Sequence, residues 1–256
     1  MQLSAVIEDL YMFNEAGDMP ARIRAAAAAG LKKVEFHMWN QVDLDAVEAA
    51  LKDTGVHLQS LIVGPRVGCV DRSRTDFILE ALDRTIAVCR RLGAKDMVIA
   101  GGPALKDVSA AEQHAGMVHN LKRLAPVAAD AGMRLLLEPL NTRVDHPIMF
   151  MDTAMEGLDI VEEVNHPAVR LLYDAYHAAV MGEDHREILK RAHLIGYVQV
   201  ADTHGRHEPG TGTIDWATWL ADLKAAGYTG DIGLEYRPST TTLESLARTR
   251  QVFGMA

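Results

Sequence analysis

The chain has 256 residues, 48% of them apolar and 24% charged, with a formal net charge of -9. That is the composition of a soluble globular protein, and the acidic balance argues against a nucleic-acid surface of clustered Lys and Arg. Two cysteines, Cys69 and Cys89, have neither disulfide nor zinc spacing and suit a reducing, cytoplasmic setting.

At the start, MQLSAVIEDLYMF has no basic region and Glu8-Asp9 interrupts it, so no signal peptide is expected. No run of about 18 apolar residues suggests a membrane span. Gln2–Ile7 predicts a first strand. Met19–Ala29 predicts a helix, with Asp18 and Pro20 at its start and Gly30 at its end. Lys33–Phe36 is the second strand; Leu44–Thr54 is a helix between Asp43 and Gly55. His57–Ile62 is the third strand, Phe77–Leu92 a helix, and Met97–Ala100 the fourth strand, followed by a long helix from Ser109 to Ala131.

The second half continues the alternation. Strands are expected at Arg134–Leu137, Val169–Tyr173, Ile195–Val200 and Ile232–Leu234. Helices are expected at Thr153–Val164, His185–Ala192, Asp215–Ala226 and Leu243–Phe253. No linker or composition shift divides these eight units, so residues 1–256 read as one domain. Alternating strands and helices imply parallel strands with crossover helices. Eight such units in this length predict an α/β fold of the closed (β/α)8 TIM barrel type. An open dinucleotide-binding sheet would need a glycine-rich turn after the first strand, and Glu8-Asp9-Leu10-Tyr11 is not one.

In such a barrel, chemistry sits at the carboxyl ends of the strands. Strand five ends in Glu138, strand six in Asp174, strand seven carries Gln199 and strand eight ends in Glu235. Singly, each has a plain reading. Glu138 could mark a strand end before Pro139, Asp174 could cap a turn, Gln199 could bond backbone, and Glu235 could pair with Arg237. Together they form an all-oxygen set, and clustered carboxylates repel unless a positive group sits between them. Such donors suit Mg2+ or Mn2+ better than zinc or copper. After Gln199 the chain turns polar at once, through Asp202, Thr203, His204, Arg206, His207 and Glu208, which reads as a strand feeding a site.

The motifs LEPLNT (Leu137–Thr142), YDAYH (Tyr173–His177), VQVADTHGRHEPGTG (Val198–Gly212) and GLEYRPSTTT (Gly233–Thr242) closely resemble those of the hydroxypyruvate isomerase family. That family lies among the xylose-isomerase-like barrels, with ketose 3-epimerases and endonuclease IV. The resemblance covers most of the C-terminal half and weakens over VGPRVGCVDRSR, from Val63 to Arg74. It implies that Glu138, Asp174, Gln199 and Glu235 hold a divalent metal, and that Glu138 and Glu235 are the catalytic acid/base pair. It also implies that His177 and Arg206 bind substrate oxygens. Related epimerases carry His where this chain has Gln199, which tilts the reading towards hydroxypyruvate isomerase.

The expected reaction interconverts hydroxypyruvate and tartronate semialdehyde through an enediolate. A hydride shift would use nearly the same residues. Arg206 is expected to meet the substrate carboxylate, with His37 and Trp39 on one wall of the pocket. Glu35 is read as strand-end structure, and Glu208 as pinning Arg206. The rival readings are a sugar isomerase or ketose 3-epimerase with a longer substrate, a nuclease, and a non-catalytic sugar-binding barrel. The expected partner is a small hydroxy-oxo acid or sugar, without nucleic acid or membrane. A homo-oligomer is plausible by resemblance alone.

Overall fold

Parallel strands of two to six residues cannot stand alone, and here nine of them share one sheet. The computed structural model describes residues 1–12 and 15–255. The strands are β1 (Leu3–Val6), β2 (Lys33–Glu35), β3 (His57–Leu58), β4 (Ser60–Ile62), β5 (Asp96–Ala100), β6 (Arg134–Glu138), β7 (Val169–Asp174), β8 (Ile195–Val200) and β9 (Ile232–Leu234). β1 pairs with both β2 and β9, which closes the first strand onto the last. β3 and β4 are two parts of one extended stretch interrupted at Gln59. The first part pairs with β2 and the second with β5. Nine segments therefore make eight staves of a TIM barrel.

The helices are α1 (Met19–Ala28), α2 (Leu44–Thr54), α3 (Thr75–Leu92), α4 (Ala110–Asp130), α5 (Ala154–Val164), α6 (Ala175–Met181), α7 (His185–Leu189), α8 (Trp216–Ala225) and α9 (Thr242–Phe253). Their ends follow from local chemistry. Asp18 accepts the Ala21 N–H at the start of α1, and Gly55 closes α2 in the left-handed region at φ 68°. Ser109 with Glu112, and Thr241 with Glu244, cap α4 and α9 reciprocally. Helix α6 was not expected from the sequence. Its seven residues are too few to show an apolar period, and it starts because Asp174 caps it.

Alternation along the strands separates two cores. Leu135, Leu137, Leu171 and Val198 face the helices in the main core. Val98, Leu136, Leu172 and Tyr197, from four neighbouring strands, pack with one another inside the barrel. Below this plug, Arg134 makes a bidentate pair with Asp96 at 2.8 and 2.9 Å. Above it stand Glu138 and Asp174. The inward file of β6 thus reads ion pair, plug, site: Arg134, Leu136, Glu138.

Candidate active site

Glu138 and Asp174 are the last residues of β6 and β7, Gln199 lies one before the end of β8, and Glu235 follows β9. Asp174 stands opposite Gln199, and Gln199 opposite Gly233. All four side chains are buried. Burial leaves Asp174 Oδ2 and Gln199 Oε1 without a hydrogen-bond partner. An unpaired buried polar atom costs about 1–3 kcal/mol, so two at one rim mark a place built for something they bind.

Asp174 is both cap and site. Its Oδ1 accepts the N–H groups of Tyr176 (2.7 Å) and His177 (3.3 Å), and its Oδ2 is left facing the cluster. Glu235 does not pair with Arg237, which is exposed and 4.0 Å from Asp9. Its cation is Arg206, whose Nη2 lies 3.1 Å from Glu235 Oε2 and 3.8 Å from Asp174 Oδ2. The Arg206 guanidinium also sits 5.1 Å from the centre of the Tyr176 ring. Glu208 does not pin Arg206 either. It is buried and accepts from Ser239 N (2.9 Å), Ser239 Oγ (2.6 Å) and Arg248 (3.2 Å).

Asp202 holds the Arg206 loop instead. Its carboxylate accepts from Gly210 N (2.8 Å), Thr203 N (2.9 Å), Ile214 N (3.3 Å) and Trp216 Nε1 (2.8 Å). That anchorage tolerates the left-handed backbone of His204 and Arg206, at φ 64° and 55°. The sequence marked Asp202 only as polar. The Val63–Arg74 loop is also fixed: Cys69 N donates to Ala100 O at 3.1 Å, and Val70 N to Gly101 O at 2.8 Å.

His177 has its tautomer set by a neighbour. Asn141 Oδ1 accepts from Val144 N and Asp145 N, which turns its Nδ2 towards Asp145 and His177. His177 Nδ1 therefore faces donors, the Asn141 N–H at 3.2 Å and Nδ2 at 2.6 Å. A neutral ring must then carry its proton on Nε2, which is buried, unpartnered and 3.7 Å from Asp174 Oδ2. Glu138, Asp174 and His177 do offer atoms within 4.8 Å of one another. The proton on Nε2 makes His177 a donor to the site rather than a metal ligand.

His37 closes another side. Its Nε2 is 4.0 Å from Glu235 Oε1 and its Nδ1 is 3.3 Å from Glu8 Oε2. Glu8 also accepts the His37 and Met38 N–H groups, at 2.8 and 2.9 Å. Trp39 Nε1 donates to Ile62 O at 3.1 Å beside it. Glu8, Asn141, Tyr176 and His146, whose ring lies 5.5 Å from His177, are site neighbours the sequence did not single out. Asn141 and Tyr176 lay within the quoted motifs; Glu8 and His146 carried no signal.

Electrostatics follow from burial. Burial first, then the Asp174 charge, pushes the Glu138 carboxyl up to about 8, against the pull of Arg206. Burial raises Glu235 well above the ordinary range and raises Asp174, in both cases against Arg206. Burial also keeps His177 neutral, reinforced by the Arg206 charge. For Arg206, burial opposes the charge, but Glu235 and Asp174 outweigh it and hold it cationic. With all three carboxyls ionised, as a bound cation would favour, they and the Arg206 guanidinium leave two negative charges, which one divalent ion would balance. The all-oxygen set of Glu138, Asp174, Gln199 and Glu235 fits a hard ion by charge and by its unpaired oxygens. A cleft of about 610 Å3 at the other barrel end is lined by residues already paired there, Arg134 with Asp96 and Lys33 with Asp231.

A family profile described as a xylose isomerase-like TIM barrel matches residues 23–252. The hydroxypyruvate isomerase of Escherichia coli is 29% identical over 234 residues, 88% of this chain and 90% of that one. A 2-oxo-tetronate isomerase of Cupriavidus necator is 29% identical over 253 residues, 95% of this chain and 96% of that one. A crystal structure described as AP endonuclease, family 2, from Brucella melitensis has a TM-score of 0.89 at 28% identity and covers 98% of both chains.

Proposed function

The chain belongs to the xylose isomerase-like TIM barrel family and is an isomerase of it, and on that premise we propose that it interconverts hydroxypyruvate and tartronate semialdehyde. One observation carries the reading: oxygen-bearing side chains from four neighbouring staves meet at one buried rim, where Asp174 Oδ2 and Gln199 Oε1 are unpaired. Glu138, Asp174, Gln199 and Glu235 would hold Mg2+ or Mn2+. When bound, such an ion draws electron density from the substrate's carbonyl and hydroxyl oxygens and acidifies the adjacent C–H.

Hydroxypyruvate has its ketone at C2 and a hydroxyl at C3, and the isomer has them exchanged. A proton leaves C3 and another arrives at C2, with an enediolate between. A hydroxyl proton passes from O3 to O2. Glu138 and Glu235 carry the carbon-bound proton, one accepting at C3 and the other delivering at C2. Carboxyls with raised pKa values suit groups that hold a proton at one step and release it at the next. His177 donates Nε2–H to the oxygen that gains charge. Because Asn141 occupies Nδ1, a proton given to O2 must be recovered from O3 through the same nitrogen. Arg206 still has a buried, unpartnered Nε, a donor for the substrate carboxylate.

Glu138→Gln and Glu235→Gln should each lower turnover of hydroxypyruvate by about 10²- to 10⁴-fold, the usual worth of a positioned proton carrier. Their thermal midpoints should stay near the parent's, since each change removes a buried carboxyl crowded by others. A fully active folded variant would remove that residue's role. The second reading is a longer substrate, favoured by the similarity to a 2-oxo-tetronate isomerase. Comparing kcat/KM for hydroxypyruvate, a four-carbon 2-oxo acid and a panel of ketoses separates the two. The resemblance to an endonuclease structure does not alter the reading, because a net charge of -9 repels a phosphate backbone.

A further inference from the structure

Glu35 ends β2 and has no exposed surface, yet it belongs to neither the ligand set nor the proton carriers. A carboxylate in a barrel interior must find donors. It has three. Tyr197 Oη donates to Oε1 at 2.6 Å, Ser60 Oγ to Oε2 at 3.0 Å, and Gln199 Nε2 to Oε2 at 3.1 Å. The cluster thus ties β2 to β4 and β8 across the barrel. Gly233 of β9 gives it room. A Cβ there would lie 2.6 Å from Glu35 Oε1, 2.7 Å from Tyr197 Oη and 2.9 Å from Gln199 Cγ.

Tyr197 and Ser60 set a hydroxyl donor on each of the two Glu35 oxygens, so both oxygens act as acceptors here. The end of the Gln199 amide that faces Glu35 must therefore be the NH2. The amide oxygen is turned the other way, where it is buried and unpartnered, at the strand position opposite Asp174. A free glutamine amide can rotate by half a turn at little cost. Here that rotation would set its oxygen against the Glu35 oxygens and present N–H groups to the cation site. We propose that Glu35 is a positioning residue, standing behind Gln199 and holding the amide so that its oxygen faces the metal. The inference rests on the reading of Gln199 as a metal ligand.

The test is a titration of chelator-stripped full-length protein with Mn2+, followed by calorimetry, alongside the thermal midpoint of each metal-free variant. Glu35→Met removes the acceptor. It should weaken Mn2+ binding by roughly 10- to 100-fold, the range for lost outer-shell partners, while Glu35→Gln, which can still accept from Gln199, stays within about threefold. In a Gln199→Met background, Glu35→Met should cost no further Mn2+ affinity, because the group it positions is gone. A folded Glu35→Met variant with parental affinity overturns the proposal. So does an equal loss in the Gln199→Met background, which would mean that Glu35 supports the barrel generally.

If Glu35→Met does not fold, the double variant Ser60→Ala with Tyr197→Phe strips two of the donors that hold Glu35. It should bind Mn2+ several-fold more weakly, again only when Gln199 is present; unchanged affinity overturns the proposal. A parent protein that binds no Mn2+, or a Gln199→Met variant that binds it as the parent does, overturns the ligand reading itself. That result is distinct from a failure at Glu35 alone.

Discussion

The imidazole of His177 has two nitrogens, and Asn141 decides between them. With Nδ1 facing the Asn141 N–H, only Nε2 reaches the site, and it arrives as a donor. His177→Phe should therefore lower kcat by about 10²-fold, as loss of a positioned proton donor does, yet leave Mn2+ affinity within about threefold. If His177 were a ligand, the same change would weaken Mn2+ binding far more, and titration of the stripped variant reads the difference. Residues of this kind were partly legible in the sequence. Glu138, Asp174, Gln199 and Glu235 fall at strand ends that the strand–helix alternation locates, and the structure brings them together with His177, Arg206 and His37. The partners of those residues were not legible. Nothing in the spacing says that Glu235 meets Arg206 rather than Arg237, because Arg206 reaches it from a loop whose path depends on contacts up to Trp216.

Among the elements, the 202–214 loop depends most on one side chain. Burial alone would raise the Asp202 carboxyl, but Trp216 and the N–H groups of Gly212, Gly210 and Ile214 hold it below its ordinary value. A depressed folded pKa means that this carboxylate's contribution is present at neutral pH and is lost as acid protonates it. Asp202→Ala would leave those donors unpaired and free the strained backbone at Arg206. The expected result is a loss of about 2–4 kcal/mol in urea unfolding, given about 1–3 kcal/mol for each unsatisfied buried group with partial rescue by water. KM should rise with it as Arg206 loses its place; an unchanged KM would show that Arg206 is held by its ion pairs alone. The strands were easier to foresee than the loops, since Arg134, Leu136 and Glu138 alternate with Leu135 and Leu137 in plain view. The break at Gln59 and the short helix α6 were not, because each depends on which neighbour offers a partner.

For the molecule as a whole, the buried carboxylates link stability to pH and to metal. In the metal-free chain, Glu138 keeps its proton up to about pH 8, against an ordinary value of 4.5. Between those values the folded state binds the extra proton, so stability falls as pH rises through that window. The slope reaches about 1.4 kcal/mol per pH unit for one such group. Glu235 and Asp174 are shifted in the same direction and steepen the fall. A bound divalent cation favours the ionised forms, so the gain in thermal midpoint on adding Mg2+ or Mn2+ should be larger at pH 8 than at pH 6. An equal gain at both pH values would place the ion away from these groups. The most direct measurement is turnover of hydroxypyruvate by the full chain before chelation, after chelation, and after titration back with Mn2+. The account predicts that activity disappears on stripping and returns in step with one Mn2+ per chain, and that Glu235→Gln stays inactive throughout. Full turnover by the stripped protein, or by Glu235→Gln, would contradict it.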